Sequence, residues 1–322
     1  MGFEKIWRQW PSFSDKGYEC LGLAGVGAFS EVYCLEDEKG VRYACKVSPE
    51  VELLQREAEI MSKFRHPLFP GYYGFWQEDQ RGFLLMEYVN GSTVKEMLDR
   101  RSFGVCEVIH MGMALAEGLR VLHEYREPIV FRDVKPANVM IRQDGMVKLI
   151  DFGCAYPMGV STTSRGGTPG FAAPEQLEGG SVLTAASDVY GWGQTLKAMI
   201  RSKENDLAAL GSEERRKGMD TKVKQNSMVK NGFVKGINRS TFKQYKKRER
   251  VKRQTKKQIW EILEACTRQE ENRRIPDMRS VMAALIPFMS LCVLHGNNRN
   301  DRKRSFLYRK VVCEKNRIII QS

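Results

Sequence analysis

The sequence predicts an α+β protein in which a strand-rich first part precedes a larger, mainly helical part. Its 322 residues, of which 42% are hydrophobic, suffice for two lobes that each have a core. Residues 23–32, 41–47 and 82–91 have the composition of strands, the first as strand, tight turn and strand. Further along, apolar residues recur at the helical spacings of four and three. They are Val108, Gly112, Leu115, Leu119 and Leu122.

Composition and patterning argue against several functional classes. The longest mostly apolar run, residues 281–294, is broken by Pro287 and Ser290 and is shorter than the ~20 apolar residues of a bilayer span. Residues 1–6 lack the cationic start and apolar core of a secretory signal. The eight cysteines include no Cys-x-x-Cys pair, which argues against a zinc site and indicates reduced thiols. We therefore expect a cytoplasmic protein without a membrane span.

The positive charge of the chain is concentrated in one segment. The net charge is +13, and residues 201–257 alone carry 19 Lys and Arg against 6 Asp and Glu, a difference of +13. Such a basic insert could bind an acidic partner, nucleic acid or anionic lipid, or it could be a solvated excursion from a compact domain. Its densest part, residues 243–257, could form a helix charged all round, which is not expected to pack in a core.

A polar segment after residue 130 carries the groups that phosphoryl transfer requires. Asp133, Lys135 and Asn138 fall within six positions, and an Asp-Phe-Gly triplet begins thirteen residues later at Asp151. A carboxylate can take a proton, an ammonium can hold a phosphate, and an amide with a second carboxylate can hold magnesium. Asp-x-Lys-x-x-Asn alone is a common polar loop. The triplet at this spacing, and then Ala-Pro-Glu at 173–175, make the pattern specific.

In this order the segments closely resemble the catalytic loop, magnesium loop and Ala-Pro-Glu segment of protein kinases. The run Gly-Thr-Pro-Gly-Phe-Ala-Ala-Pro-Glu that ends at Glu175 is similar to that of eukaryotic-like, bacterial-type serine/threonine kinases. The resemblance implies a two-lobed, protein-kinase-like fold. A small antiparallel β-sheet N-lobe with one helix would occupy residues 1–89, a larger mainly α-helical C-lobe residues 90–290, and a C-terminal tail residues 291–322.

The resemblance also implies a reaction and its participants. The chain would transfer the γ-phosphoryl of ATP to Ser or Thr hydroxyls of a protein substrate, with Mg²⁺. Asp133 would accept the proton of the hydroxyl, and Lys135 would neutralise the transferring phosphoryl group. Asn138 and Asp151 would hold Mg²⁺. Lys135 is similar to the serine/threonine class, because tyrosine kinases carry a different loop at this place.

Two segments resemble the parts of kinases that hold the nucleotide. Gly25, Gly27 and Val32 match a Gly-x-Gly-x-x-Gly-x-Val loop with serine in the third glycine position. Their backbone would approach the phosphates closely. By itself such a glycine pattern is more typical of a hairpin. Backbone groups between Glu87 and Val89, at the end of an apolar strand, would bind adenine as the hinge.

The predicted strand 41–47 and the following helix, predicted at 52–64, resemble the lysine strand and helix C of kinases. Ala44 would contact adenine, and Lys46 would bind the α- and β-phosphates. An ion pair from Glu57 would hold the lysine in place. Glu59 is the competing partner, but the distance of Glu57 from the His-Pro pair at 66–67 favours Glu57.

Regulation is implied by Arg132, which precedes Asp133. In kinases with this pair, the arginine binds a phosphorylated activation loop and orders it. The loop here contains four clustered hydroxyl residues that we expect to be autophosphorylated. They are Ser161, Thr162, Thr163 and Ser164. Thr168 would bond to Asp133 and Lys135, again by resemblance.

One position departs from the family pattern. Phe131 stands where most kinases have histidine, but an aromatic ring can keep the contact with Phe152 of the Asp-Phe-Gly triplet, so we do not expect an inactive enzyme. Asp188 would accept backbone N–H groups of the catalytic loop. Arg274 would pair with Glu175. Both roles come from the resemblance and are structural.

Three other functions compete with this interpretation. A pseudokinase scaffold that binds an acidic partner through the insert would lack one of Lys46, Asp133, Asn138 or Asp151, and all four are present. A small-molecule phosphotransferase of related fold would lack the segment at 167–175. A nucleic-acid-binding protein that acts through the insert would not need the catalytic pattern.

Overall fold

A computed structural model describes residues 12–161, 166–178, 180–216 and 239–295. The strands are β1 Tyr18–Val26, β2 Glu31–Asp37, β3 Arg42–Ser48, β4 Tyr72–Glu78, β5 Arg81–Glu87, β6 Gly91–Thr93, β7 Ile129–Val130, β8 Val139–Arg142, β9 Val147–Leu149 and β10 Tyr156–Pro157. The α-helices are α1 Ser12–Asp15, α2 Val51–Ser62, α3 Val94–Arg100, α4 Val105–His123, α5 Pro174–Glu178, α6 Ala185–Arg216, α7 Arg239–Cys266 and α8 Met278–His295. Short 3-10 turns lie at Pro136–Asn138 and Glu271–Arg273. The predicted α+β architecture is confirmed.

The first five strands form one antiparallel sheet in the order β1-β2-β3-β5-β4. Asp79 and Gln80 join β4 to β5, and both have positive φ, 46° and 60°. A two-residue turn with both residues in this region matches the right-handed twist of a hairpin. Helix α2 packs on one face of the sheet through buried residues that include Leu54 and Ala58. It begins and ends one to two residues from the predicted bounds of 52–64.

The opposite face of the sheet is covered by an aromatic cluster that begins in α1. The ring of Phe13 is buried and lies 5.9 Å from Phe83 and 6.5 Å from Trp76, with both pairs edge to face. Trp76 stacks on Phe83 at 5.1 Å. Aromatic pairs in these arrangements add to the stabilisation that burial of their surface already supplies. The sheet is therefore a two-sided layer, with α2 on one face and α1 on the other.

Helix α4 is the centre of the helical part, where it contacts α6 and α8. The predicted stripe is buried, as are nearly all the other sides of the helix. Glycine suits position 112 of this stripe because side chains of α6 pack closely against it. A Cβ at this position would lie 2.7 Å from the side chain of Leu196. The indole of Trp192 donates a hydrogen bond to the carbonyl of Gly112 at 2.8 Å, and this bond ties α6 to α4.

The basic insert predicted at residues 201–257 overlaps two long helices of the structure. Residues 201 and 257 both fall inside helices, because α6 continues to Arg216 and α7 already begins at Arg239. The helix predicted for residues 243–257 is present. Its C-terminal end packs against the rest of the protein, because Thr255 is buried. Pairing with α6 supplies the apolar surface that the local sequence lacks. Residues 217–238 lie outside the described part.

The boundary predicted between C-lobe and tail lies within a helix. Residue 290 falls inside α8, which runs through Pro287 to His295. Within the described residues, none of the helices is both long enough and apolar enough to cross a membrane. Residues 296–322, which include most of the predicted tail, lie outside the described part.

Candidate active site

Four polar residues predicted from the sequence meet in one cluster. Three of them lie in the loop between β7 and β8, and the fourth is Thr168. Asp133 is buried, and its Oδ1 accepts a hydrogen bond from Thr168 Oγ1 at 2.7 Å. The Nζ of Lys135 lies 2.7 Å from both Asp133 Oδ2 and Thr168 Oγ1. Asn138 Nδ2 donates to the backbone oxygen and to Oδ2 of Asp133, at 3.0 Å each. Residues from the catalytic loop and from position 168 therefore share one charged centre.

The backbone of this loop is held by a buried carboxylate on α6. Asp188 accepts hydrogen bonds from the N–H groups of Phe131 at 2.7 Å and Arg132 at 2.8 Å, as expected. Its Oδ2 also lies 2.8 Å from Nε2 of His123. Arg132 has a φ of 70°. A non-glycine residue in that region costs about 1–3 kcal/mol and persists only where the surroundings enforce it. Asp188 supplies that enforcement.

The predicted ion pair between strand β3 and helix α2 is present. Lys46 Nζ lies 2.7 Å from Glu57 Oε2 and 2.8 Å from Asp151 Oδ1. The other oxygen of Glu57 accepts a hydrogen bond from the N–H of Phe152 at 3.2 Å. Glu59 is exposed and interacts with Gln55 instead. Glu57, the residue favoured by sequence register, is therefore the one that faces Lys46.

The charges of Lys46, Glu57 and Asp151 shift one another's pKa values. Burial alone would lower the pKa of Lys46, but Glu57 and Asp151 together outweigh burial and raise it above its ordinary value. Burial would raise the pKa of Asp151, and the contact with Lys46 reverses that effect and lowers it. The pKa of Glu57 is raised by its complete burial, which Lys46 only partly offsets. Lys46 is a cation and Asp151 an anion at neutral pH.

Asn138 and Asp151 offer oxygen ligands that suit a magnesium ion. The amide nitrogen of Asn138 is used by Asp133, which directs its amide oxygen away from that bond. Oδ1 of Asp151 is shared by Lys46 and the N–H of Gly153, so Oδ2 is the oxygen left for a ligand. Carboxylate and amide oxygens are the donors that Mg²⁺ prefers, usually one or two per site together with phosphate oxygens. The residues present therefore fit the ion.

The predicted nucleotide-binding residues lie along β1, β2, β3 and β5. Gly25 and Gly27 belong to the β1–β2 hairpin, where the N–H of Gly27 donates to the carbonyl of Ser30 at 2.7 Å. Val32 pairs with Lys46 across the β2–β3 register. The remaining three line the next part of the sheet. They are Ala44 on β3, Glu87 at the end of β5 and Val89 just after it.

The side chain of Glu87 makes contacts that the sequence did not suggest. Its Oε2 lies 2.7 Å from Nζ of the buried Lys148 on β9 and accepts the N–H of Gly71 at 3.1 Å. Lys148 also donates to the carbonyl of Phe69 at 2.8 Å. Arg142 approaches the second oxygen of Glu87 at 3.4 Å. The predicted hinge is thereby tied to β8 and β9, the strands that precede Asp151.

Arg132, the residue predicted to order the activation loop, lies close to Tyr156 and Gly166, which flank the predicted phosphorylation residues. It is buried, and its guanidinium sits 5.8 Å from the ring of Tyr156, whose ring also faces Arg56 at 5.4 Å. A Cβ at Gly166 would overlap the guanidinium of Arg132, so a larger residue there would require that side chain to shift. Ser161 is exposed and donates to the carbonyl of Gly180 at 3.1 Å. Of the other predicted phosphorylation residues, 162–164 lie outside the described part.

The expected contact of Phe131 with the Asp-Phe-Gly triplet is present. Its ring meets Phe152 edge to face at 5.2 Å, and Phe69 meets Phe152 from another side at 5.4 Å. Phe131 and Phe152 are both completely buried. An aromatic hydrocarbon ring fits this site without needing a hydrogen-bond partner, which a buried imidazole would require.

A buried ion pair and a buried amide anchor the segment after Thr168. Arg274 donates to both oxygens of Glu175, at 2.6 and 2.8 Å, which is the predicted pair. Gln176 was not predicted. Its Nε2 donates to the carbonyl of Arg132 at 2.7 Å, and its Oε1 accepts the N–H of Ala173 at 3.1 Å. Its place directly after Glu175 was the only signal, and nothing in the sequence reveals the distant carbonyl partner.

A five-stranded sheet with a helix-borne ion pair, followed by a helical part with a cluster of polar residues around Asp133, defines a protein kinase fold. The sequence model of the protein kinase domain matches residues 18–285, most of the chain. The chain therefore belongs to the protein kinase domain family.

Curated relatives agree with this assignment. An Aurora kinase of Eremothecium gossypii is 33% identical over 172 residues, 50% of this chain and 46% of that protein. The serine/threonine-protein kinase PBL13 of Arabidopsis thaliana is 32% identical over 224 residues, 63% of this chain and 44% of that protein. PrkC, a serine/threonine-protein kinase of Bacillus subtilis, is 29% identical over 206 residues, which are 58% of this chain and 30% of that protein. The chain spans less than half the length of these relatives.

Proposed function

We propose that the protein transfers the γ-phosphoryl group of ATP to Ser or Thr hydroxyls of a protein substrate. The observation that carries the proposal is the cluster of Asp133, Lys135 and Thr168, with 2.7 Å contacts between their polar atoms. A carboxylate and an ammonium at this separation can take a proton from a hydroxyl and hold the charge of the phosphoryl group it attacks.

In the proposed reaction, the substrate oxygen forms a bond to the γ-phosphorus while the bond to the ADP oxygen breaks. The hydroxyl proton passes to Asp133. Lys135 stabilises the negative charge on the equatorial oxygens. Because little covalent help is needed, these groups act chiefly by position and charge. Asp188 acts through the loop backbone and is a positioning residue.

The nucleotide would lie between the glycine hairpin and the catalytic loop. Gly25, Gly27 and Lys46 would hold the phosphates, with Glu57 fixing the lysine. Val32, Ala44 and the backbone from Glu87 to Val89 would enclose the adenine. Asn138 and Asp151 would hold Mg²⁺, which when bound screens the charge of the phosphates. The fit of their free oxygens supports this assignment.

Regulation by autophosphorylation is part of the proposal. Ser161 is exposed on the segment that follows Tyr156, and residues 162–164 continue it. A phosphate on this segment carries nearly two negative charges at pH 7 and would bind the guanidinium of Arg132. The alternative is a catalytically weak scaffold that uses its insert to bind an acidic partner. It is disfavoured because Lys46, Asp133, Asn138 and Asp151 are all in place.

We also propose that the protein works in the cytoplasm. The six described cysteines, 20, 34, 45, 106, 154 and 266, are free thiols. A reducing compartment keeps thiols in this form, whereas secreted proteins usually pair them.

The test compares purified protein with two variants after incubation with Mg²⁺ and ATP. Asp133→Asn removes the proposed proton acceptor, and Asp99→Asn is the matched control on an exposed carboxylate. Peptides that offer Ser, Thr or Tyr are included, and phosphate is located by mass spectrometry. We expect phosphate on Ser and Thr with the wild type and the control only. Nucleotide binding is measured in parallel.

Three outcomes would contradict the proposal. If Asp133→Asn incorporated as much phosphate as the wild type, Asp133 would not be the proton acceptor. Phosphate on Tyr alone would reassign the substrate class. Nucleotide binding by the wild type without phosphate transfer to any peptide would favour the scaffold.

A further inference from the structure

Helix α7 has two parts of different character. In its C-terminal part Thr255, Ile259 and Leu263 are buried against the helical core. Lys197 on α6 anchors this part, because its Nζ lies 2.8 Å from Glu264 Oε1 and 5.3 Å from the centre of the Trp260 ring. The N-terminal part therefore extends from a firmly held base.

The N-terminal part of α7 carries an ordered row of cations. Residues 239–257 include ten Lys and Arg and one acidic residue, Glu249. Six of the cations recur at alternating spacings of four and three positions, and we call this set the basic stripe. They are Arg239, Lys243, Lys246, Arg250, Arg253 and Lys257.

Helix geometry places the basic stripe along one side of α7. Positions spaced by four and three form a single line on an α-helix, at ~100° per residue. That line falls opposite Thr255 and Ile259, which face the core. At 1.5 Å rise per residue it is about 27 Å long, with a cation about every 5 Å.

The described members of the basic stripe are open to solvent and little neutralised. Arg250, Arg253 and Lys257 are all exposed. Among the residues that the structure describes, no carboxylate forms an ion pair with Arg250 or Arg253. The amine of Lys257 lies 3.9 Å from a carboxylate oxygen of Glu261, and that pair is itself exposed. Like charges three and four positions apart repel one another, so this row opposes helix formation and is not explained by stability.

We propose that the basic stripe binds double-stranded DNA through its phosphates, without reading the sequence. An α-helix fits the ~12 Å major groove of B-DNA, whereas the major groove of an RNA duplex is too narrow to admit side chains. The groove has phosphates along both walls. Four further cations in the same stretch, Lys247, Arg248, Lys252 and Lys256, add to its positive charge. This function does not depend on the proposed phosphotransfer.

Two other anionic partners fit the same helix less well. A membrane-surface helix needs an apolar face, and the only large apolar residues of this stretch, Phe242, Tyr245 and Val251, do not share one side. An acidic protein segment offers carboxylates at irregular intervals. A row of cations every ~5 Å matches the regular charge of a nucleic-acid backbone better.

The test measures binding of the full-length protein to a duplex DNA of about 24 base pairs, between about 50 and 200 mM salt. Two unrelated sequences, a matched RNA duplex, phosphatidylserine vesicles and polyglutamate are compared. We expect similar affinity for both DNA sequences and a linear fall of log affinity with log salt. Tighter binding to vesicles, polyglutamate or RNA would overturn the proposal, as would affinity for DNA that is independent of salt.

Matched variants locate the binding surface. Arg250→Gln, Arg253→Gln and Lys257→Gln combined remove three charges from the basic stripe. The control removes three exposed charges elsewhere: Lys95→Gln, Arg100→Gln and Arg126→Gln.

Each lost phosphate contact reduces the slope of log affinity against log salt concentration by ~0.9 in magnitude. The stripe variant should therefore lose about 2.7 from this slope, while the slope of the control variant should change little. Circular dichroism and kinase activity of the stripe variant should match the wild type, because none of these residues belongs to the proposed catalytic centre. A stripe variant that binds DNA like the control would refute the assignment.

Discussion

The buried pair of Glu175 and Arg274 allows a quantitative prediction. The Arg274 side chain is 0% exposed and Glu175 is 13% exposed. Changing Glu175 to Gln leaves a buried guanidinium without its counter-charge, which costs about 3–5 kcal/mol in other proteins. Arg274 keeps the carbonyls of Arg268 at 2.6 Å and Gln269 at 2.8 Å, so we expect the lower end, about 3 kcal/mol. For a domain of this size that is a loss of roughly 6–12 °C in Tm.

An exposed ion pair in the same molecule is the control. Arg279 lies 2.6 Å from Glu124, but its side chain is 70% exposed. Exposed pairs contribute less than about 1 kcal/mol, so Arg279→Gln should lower Tm by no more than a few degrees. Thermal unfolding followed by circular dichroism measures both. If Glu175→Gln shifts Tm as little as Arg279→Gln does, burial does not control the strength of this pair and the reasoning fails.

The same pair predicts how stability depends on pH. Burial would raise the pKa of Glu175, but hydrogen bonds from Arg274, Ser187 and its own backbone N–H, together with the charge of Arg274, outweigh burial and lower the pKa below its ordinary value. A carboxyl group with a lowered folded pKa stabilises the protein above its unfolded pKa and loses that contribution as pH falls through the folded value. The stability difference between wild type and Glu175→Gln should be constant above about pH 5.5. It should shrink only below about pH 4.5, and shrinkage near neutral pH would contradict the assignment.

Three further predictions follow from particular contacts. Glu57→Gln should reduce phosphate incorporation roughly 10–100-fold by misplacing Lys46, while Glu59→Gln should not, as a peptide phosphorylation assay can show. Gly167→Ala should destabilise the fold by about 1–3 kcal/mol more than Gly170→Ala in urea unfolding, because both have positive φ but only a Cβ at 167 would lie 2.8 Å from its neighbours. Phe131→Ala should cost about 3–5 kcal/mol in the same assay, and a loss below 1 kcal/mol would show that the ring contact is unimportant.

Much of the active site could be predicted because its residues keep short, ordered spacings along the chain. Asp133, Lys135 and Asn138 lie within six positions, so one loop positions all three. Glu57 was distinguished from Glu59 by its register to the residues that follow α2. The first argument rests on short spacing, which the sequence contains directly, and the second on the resemblance of this spacing to that of kinases.

Other contacts of the site could not be predicted because the two partners lie far apart in the sequence. Gln176 binds a backbone carbonyl 44 positions away, and Lys148 reaches Glu87 across 61 positions. The burial of Thr255 within the predicted insert could not be foreseen for a related reason. Residues near 257 look solvated by composition, and only the packing of α7 against α6 shows that Thr255 is buried.

The sequence alone determined the chemistry of this protein: which acids, amides and cations it has, their order, and the concentration of positive charge after residue 200. Tertiary structure decided which of these groups meet. It brought Thr168 to Asp133, Glu57 to Lys46 and Arg274 to Glu175. It also turned one side of α7 to the core, while Arg250, Arg253 and Lys257 are exposed to solvent. The physical reason is that burial depends on elements distant in sequence, whereas charge and hydrogen-bonding capacity belong to each residue.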